Sequence, residues 1–242
     1  MLGSAWKVIR YRPLKFLPEV RSALLFYRSR CLLRIVKIPG VQLRKNVRIQ
    51  RLSSLMAERP NAAISIGEEA ILYYDTQLEA YGNGRITVGR NAILGGARII
   101  SRARITIGER ALLSWGIFIQ DFDPHPVDAR ARAEQVLSMT QSRAHRQIGA
   151  DMNKHSAAEI DGFPMKNISI GDDVWIGANV IILKGSHIGN GSIVAAGSVV
   201  CSGRYPNNAL LAGNPARVKK IFDEEKSDSS HERPTCNVSL YE

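Results

Sequence analysis

The chain has 242 residues, of which 45% are hydrophobic and 23% charged, and its net charge is +11. That length and balance fit one domain with an added end segment, and argue against a disordered or membrane-embedded chain. The three cysteines, Cys31, Cys201 and Cys236, stand far apart and outside any CxxC spacing, which argues against a disulfide scaffold or a thiolate zinc site.

The positive charge sits at one end. Residues 1–60 hold 14 Lys and Arg against two acids, Glu19 and Glu58, whereas residues 61–242 hold 19 against 20, a net of −1. A basic arm of this kind suits an anionic membrane surface, a nucleic acid or a polyanionic partner, or is simply a solvated face. No RNA-binding or zinc-finger motif accompanies it, so nucleic acid is not expected. Residues 1–18 lack the apolar core and small-residue cleavage site of a secretory signal. Residues 19–37 read as a helix: Val20, Leu24, Tyr27, Cys31 and Ile35 share one stripe, bordered by Arg21, Arg28, Arg30, Arg34 and Lys37. Such a helix lies in a membrane interface or caps the main domain. Pro39-Gly40 ends it. No segment has the long apolar run of a transmembrane helix.

From residue 64 the period changes to six. Ile66, Leu72 and Leu78 form one triplet, Val88, Leu94 and Ile100 a second, and Ile107, Leu113 and Ile119 a third. The clearest run is Ile170, Ile176, Ile182, Ile188, Val194 and Val200, in which Gly171, Gly177, Gly189 and Ala195 each follow an aliphatic residue. A six-residue period does not fit a helix of 3.6 residues per turn. It fits short extended segments joined by sharp corners, with one aliphatic side chain per segment turned inward. Three segments make a triangular coil of about 18 residues, and stacked coils bury a continuous aliphatic column.

The repeat is interrupted once. After Ile119 the chain reads Gln-Asp-Phe-Asp-Pro-His-Pro-Val, and the hexads resume only at Ile168. A loop of that length in a compact domain is usually functional or disordered. His125 stands at its base and is a candidate proton acceptor at neutral pH. Asp121 and Asp123 are both placed to orient it, and Asp123 is preferred; a turn-capping role for Asp123 stays open. An Asp-x-Asp-x-His cluster also suits a metal, but His145, His155, His187 and His231 offer no ligand spacing around it, so no metal is expected. GxSxG, GxxxxGK[ST] and GxGxxG are absent; Leu183-Lys-Gly-Ser only echoes a phosphate loop.

The stretch Ile170-Gly-Asp-Asp-Val-Trp-Ile-Gly-Ala-Asn-Val-Ile-Ile-Leu-Lys-Gly, then Ile188-Gly-Asn-Gly-Ser, Ala195-Ala-Gly-Ser-Val-Val and Ala212-Gly-Asn-Pro-Ala-Arg-Val, resembles the hexapeptide-repeat acyltransferases, the left-handed β-helix family. The likeness runs from residue 64 to 221. It implies an all-β solenoid, a left-handed parallel β-helix over 61–221 with an inserted loop at 126–166, preceded by a basic, partly helical segment 1–60 and followed by a disordered tail 222–242.

The resemblance also implies roles. Ser114-Trp-Gly-Ile-Phe-Ile-Gln-Asp-Phe-Asp-Pro-His-Pro-Val is similar to the family's catalytic-histidine segment, which places the base at His125. Family members bind acetyl-CoA between neighbouring subunits along the C-terminal coils. Gly177 and Ala178 match one part of that groove, and Ala195, Ala196 and Gly197 another; all are also repeat-corner residues. Arg217 and Lys219, with Lys220, are candidates for the CoA phosphates or for a merely exposed basic end. Trp175 packs beside donor or acceptor, or at a corner. The expected protein is a cytoplasmic homotrimer, an acetyl-CoA-dependent O-acetyltransferase acting on a sugar hydroxyl of a capsule, O-antigen or exopolysaccharide, with residues 1–37 able to touch the inner membrane face. The alternatives are N-acetylation of a nucleotide-linked amino sugar, a non-catalytic scaffold, and the three-histidine zinc class of the same fold.

Overall fold

Short strands rich in Ile, Val and Leu alternate with tight corners along the chain, and most strands turn one or two aliphatic side chains inward. The computed structural model describes residues 38–51, 54–58, 60–141 and 164–222. Within them the chain winds through about seven turns of a parallel β-solenoid. The first face stacks Val41–Leu43, Ala63–Ile66, Arg85–Val88, Arg104–Ile107, Ile168–Ile170, Ser186–Ile188 and Gly203–Tyr205. The second stacks Arg48–Ile49, Ile71–Leu72, the starts of Ile93–Ser101 and Leu112–Gln120, then Trp175–Ile176, Ile193–Val194 and Ala209–Gly213. The third runs through Leu55–Ala57, Gln77–Ala80, the ends of the same two long strands, Ile181–Leu183 and Val199–Val200. Neighbouring strands pair in parallel until the last, where Ala209–Gly213 folds back antiparallel on Ala216–Ile221.

Three aliphatic columns fill the interior. They are Ile66-Val88-Ile107-Ile170-Ile188, Leu72-Leu94-Leu113-Ile176-Val194-Leu211 and Leu78-Ile99-Ile119-Ile182-Val200, every member 3% exposed or less. Burying each such side chain is worth about 1.5–3 kcal/mol, so the columns are the main source of stability. Ile99, not Ile100, occupies the third column, in register with Leu78 and Ile119. Successive side chains of a strand face opposite ways, so the one-residue shift sends Ile100 outward, where it packs with Tyr81 and Phe122. The solenoid also starts a coil earlier than residue 61: Val41 pairs with Ile64 and Ile49 with Leu72. Leu43, Ile49 and Leu55 keep the six-residue spacing there, hidden among Arg44, Lys45, Arg48 and Arg51.

At the corner after the first face the coils approach through glycine. A Cβ on Gly67 would lie 2.6 Å from the backbone of Gly89, and Gly89, Gly108 and Gly171 continue the stack. The buried serines Ser186, Ser192 and Ser198 spend their hydroxyls on the backbone. Ser192 Oγ donates to the Pro206 carbonyl at 3.0 Å and accepts from the Ala209 amide at 3.2 Å.

The excursion leaves this lattice undisturbed. Leu113 still pairs with Ile176 and Phe118 with Ile181, although the two coils are separated by the insertion. Part of what was expected as a loop over 126–166 is a helix, α1, spanning Ala129–Gln141. Asp128 caps it, its Oδ1 accepting the Ala131 amide hydrogen at 2.8 Å, and Ala129, Ala131, Ala133, Glu134 and Leu137 are good helix formers. No residue of α1 is buried in the single chain. The helix expected at 19–37, His145 and His155 in the insertion, and the tail beyond residue 222 lie outside the described residues. Among the described residues, no helix is long and apolar enough to cross a membrane.

Candidate active site

The path out of the solenoid is set by Asp121. Its carboxylate is buried and accepts three hydrogen bonds: from Ser101 Oγ at 2.6 Å, the Arg102 amide at 2.8 Å and the Ala103 amide at 3.1 Å. Burial pushes its carboxyl above the ordinary aspartate value, and the Ser101, Arg102 and Ala103 bonds oppose that push. Asp121 is thus an anchor of the turn. A bridge between Phe122 and Met165 and a bond from the Lys166 amide to the Asp121 carbonyl, 2.9 Å, close the base of the excursion.

His125 stands exposed just beyond this base. Its Nδ1 lies 3.0 Å from Oε1 of Gln135, on α1. The Gln135 amide group donates through Nε2 to the Pro124 carbonyl at 3.4 Å, which turns its oxygen toward the imidazole. An acceptor at Nδ1 puts the ring hydrogen there and makes Nε2 the basic nitrogen. Asp123, the aspartate preferred as the orienting partner of His125, forms an ion pair with the ammonium of Lys184, which follows the third-face strand of the next coil. The ion pair ties the segment carrying His125 to the coil above it. Neither Gln135 nor Lys184 was singled out from the sequence as a site residue.

His125 borders a cavity of about 210 Å³. Its wall is the outer side of the third face: Arg98 and Ile100 from one strand, Phe118 and Gln120 from the next, with Tyr81, Arg102, Phe122 and Pro124 around them. The Arg102 guanidinium lies over the rings of Tyr81 and Phe122, 5.5 and 5.3 Å from their centres.

The candidate donor residues come together at the corner between the second and third faces. Gly177 and Ala178 sit one storey below Ala195, Ala196 and Gly197. The Gly177 amide bonds the Val194 carbonyl, and the Gly197 amide the Ala178 carbonyl, both at 2.8 Å. A Cβ on Gly177 would meet the Ala196 amide at 2.6 Å, whereas Gly197 has open space around it. Ala196 and Gly197 are exposed. Arg217 pairs across the final hairpin with Ala212, on the storey above, and so belongs to the same corner; Lys219 lies further along that strand, exposed. Trp175 stands just before the corner, half-exposed beside Leu112 and Ile193.

One chain does not bring these residues to His125. The small-residue corner is at the start of the third face and His125 beyond its end, with the strand ending at Gln120 between them. At about 3.3 Å per residue that strand alone separates them by roughly 10 Å or more. Among the described residues, no three His, Cys, Asp or Glu side chains gather as a ligand set for a metal.

The family pattern of the bacterial transferase hexapeptide, in six repeats, matches residues 167–202. WbbJ of Escherichia coli K12, a candidate lipopolysaccharide biosynthesis O-acetyl transferase, is 30% identical over 182 residues, spanning 75% of this chain and 82% of that protein. Two solved structures share the fold. The polySia specific acetyltransferase NeuO matches with a TM-score of 0.55 at 21% identity, over 78% of this chain and 71% of that one. AntD, an N-acyltransferase from Bacillus cereus in complex with dTDP and 3-hydroxybutyryl-CoA, matches with a TM-score of 0.56 at 20% identity, over 82% and 90%. The chain belongs to the hexapeptide-repeat acyltransferases, enzymes built on the left-handed β-helix.

Proposed function

We propose that the protein is an acetyl-CoA-dependent O-acetyltransferase that modifies a sugar hydroxyl during the synthesis of a bacterial surface polysaccharide. The observation that carries this reading is His125, held through Nδ1 by Gln135 at the mouth of a cavity. The surface-polysaccharide role rests on the 30% identity to the Escherichia coli relative.

In this mechanism Nε2 of His125 takes the proton of an acceptor hydroxyl as its oxygen attacks the thioester carbonyl of acetyl-CoA. The tetrahedral intermediate collapses, the carbon–sulfur bond breaks, and the imidazolium returns the proton to the departing thiolate. Gln135 accepts the Nδ1 hydrogen throughout and keeps the basic nitrogen toward the cavity. Lys184 and Asp123 hold the segment in place. The corner of Gly177, Ala178, Ala195, Ala196 and Gly197 receives the pantetheine arm, because small residues let it approach the backbone. Arg217 and Lys219 face its phosphates, and Trp175 flanks it.

The separation of this corner from His125 supports a homotrimer, in which each donor groove lies beside a neighbour's histidine. The work is placed in the cytoplasm at the inner membrane face, with basic residues 1–37 toward anionic headgroups.

The test is release of CoA thiol from acetyl-CoA over a panel of sugar hydroxyl and amine acceptors, with His125→Asn beside the wild type. Hydroxyl-dependent release that falls by at least about 100-fold in the variant supports the reading. Release that survives the substitution removes His125 from the mechanism, and release only with amines overturns the O-transfer. Sedimentation of a monomer would exclude the shared site.

A further inference from the structure

Glu79 is a carboxylate on the outer side of the third face, yet only 8% of it is exposed. Both of its oxygens are engaged. Oε2 accepts the hydroxyl of Tyr81 at 2.8 Å, and Oε1 accepts Nε of Arg98 at 3.0 Å. Glu79 is nearly buried and Arg98 only partly so, and such an ion pair is weak support for stability, because desolvating the carboxylate offsets much of the attraction. What the arrangement does achieve is orientation. Tyr81 holds Glu79, and Glu79 holds Arg98 by its Nε alone, so the guanidinium plane is fixed while its two terminal nitrogens are not engaged by the carboxylate. Arg98 lines the same cavity as His125.

The charged side chains that line that cavity are one-sided: Arg98 and Arg102, with no lining residue that carries a carboxylate. Tyr81 and Phe122 hold the Arg102 guanidinium against the wall from their ring faces. Ile100 and Phe118 supply an apolar floor. A fixed guanidinium fork matches two oxygens of a carboxylate or phosphate, which a hydroxyl alone does not require. At about 210 Å³ the cavity is smaller than the roughly 300 Å³ at which drug-sized ligand pockets begin, so it suits a single sugar unit.

Building on the acetyl-transfer reading, we infer that this cavity is an anion-recognising acceptor subsite: Arg98, with Arg102, binds a carboxylate or phosphate on the sugar whose hydroxyl faces His125. The acceptor class is an acidic or phosphorylated sugar, not a neutral one. Glu79 and Tyr81 are positioning residues for Arg98.

Equilibrium binding to the full-length protein without acetyl-CoA tests this, because it needs no turnover. The probes are glucuronate, glucose 1-phosphate and glucose, measured by calorimetry or saturation-transfer NMR. At least one anion is expected to bind about tenfold more tightly than glucose. Preference for glucuronate assigns a carboxylate, and preference for glucose 1-phosphate a phosphate. Arg98→Gln is expected to bring the anion-to-glucose ratio near one, and Arg98→Lys, which keeps the charge without the fork, to restore part of it. Glu79→Gln is expected to lower the ratio with Arg98 still present. Equal binding of all three probes, absence of anion binding, or a ratio unchanged in Arg98→Gln would overturn the proposal. Failure of acetyl transfer with anion preference intact would instead count against the catalytic reading alone.

Discussion

Arg110 grips Asp173 through two bonds, Nε to Oδ1 at 2.6 Å and Nη2 to Oδ2 at 2.7 Å, and so joins the last coil before the insertion to the first coil after it. The two residues are 63 positions apart in the chain. Both stand at left-handed corners, Arg110 with φ of 54° and Asp173 with φ of 57°. The pair is half-exposed, so salt screens it.

The hydrogen bond from Arg110, and then its charge, hold the Asp173 carboxyl below its ordinary value. A carboxyl whose folded pKa is depressed contributes stability above its unfolded value, about 3.9, and loses it as pH falls through the lower folded one. Asp173→Asn should therefore melt slightly below the wild type at pH 7 in low salt. The gap should close below about pH 4 and shrink in high salt. Melting curves across pH and salt measure it, and a gap that widens in acid would contradict the assignment.

Gln135 should matter to the rate more than to the fold. Gln135→Leu removes the acceptor at Nδ1 and should lower kcat by about 10- to 100-fold, with little change in melting temperature. Gln135→Glu places a carboxylate beside the ring, favours the imidazolium, and should move the acid limb of the pH–rate profile to higher pH. Profiles for the three proteins decide the matter; superimposable curves would remove Gln135 from the mechanism.

Lys184→Ala should loosen the segment that carries His125. We expect several-fold loss of kcat and at most about 1 kcal/mol of stability, since the pair is only partly buried. Lys184→Arg should recover most of the rate. Chemical denaturation beside steady-state kinetics separates the two effects, and a stability loss without a rate loss would make the pair purely structural.

At the small-residue corner, fold and binding should come apart. Gly177→Ala forces a Cβ against the Ala196 amide, 2.6 Å away, and should destabilise the solenoid by about 1–3 kcal/mol. Ala196→Phe projects into solvent instead. It should leave melting almost unchanged while weakening acetyl-CoA binding at least about tenfold by calorimetry. Unaltered affinity in Ala196→Phe would move the donor site elsewhere.

The architecture was largely legible because six-residue spacing admits few folds. The run from Ile170 to Val200 names two members of each of the three columns, and all six side chains are buried there. Ile100 misled because the step from Leu94 to Ile99, one side of a coil, is five residues and not six, and a strand turns its other face inward after one step. The site was legible only to its base. His125 and Asp123 stand out as residue types, but their partners depend on how the insertion closes. Gln135 reaches the imidazole only because α1 forms, and Asp128, placed just before a run of alanines, was the available sign of that helix. Lys184 meets Asp123 from 61 positions away, a distance no local pattern encodes.

The register carried across the excursion has a further consequence. Ile119 stacks on Ile182 as if nothing intervened, so the interior is blind to what hangs between those coils. The outgrowth is therefore an exchangeable cassette. Grafting the corresponding segment of a relative between Pro126 and Met165 would keep His125 and replace α1 with its Gln135 while leaving every aliphatic column as it is, so that new acceptor chemistry arises on this scaffold without any renegotiation of its core.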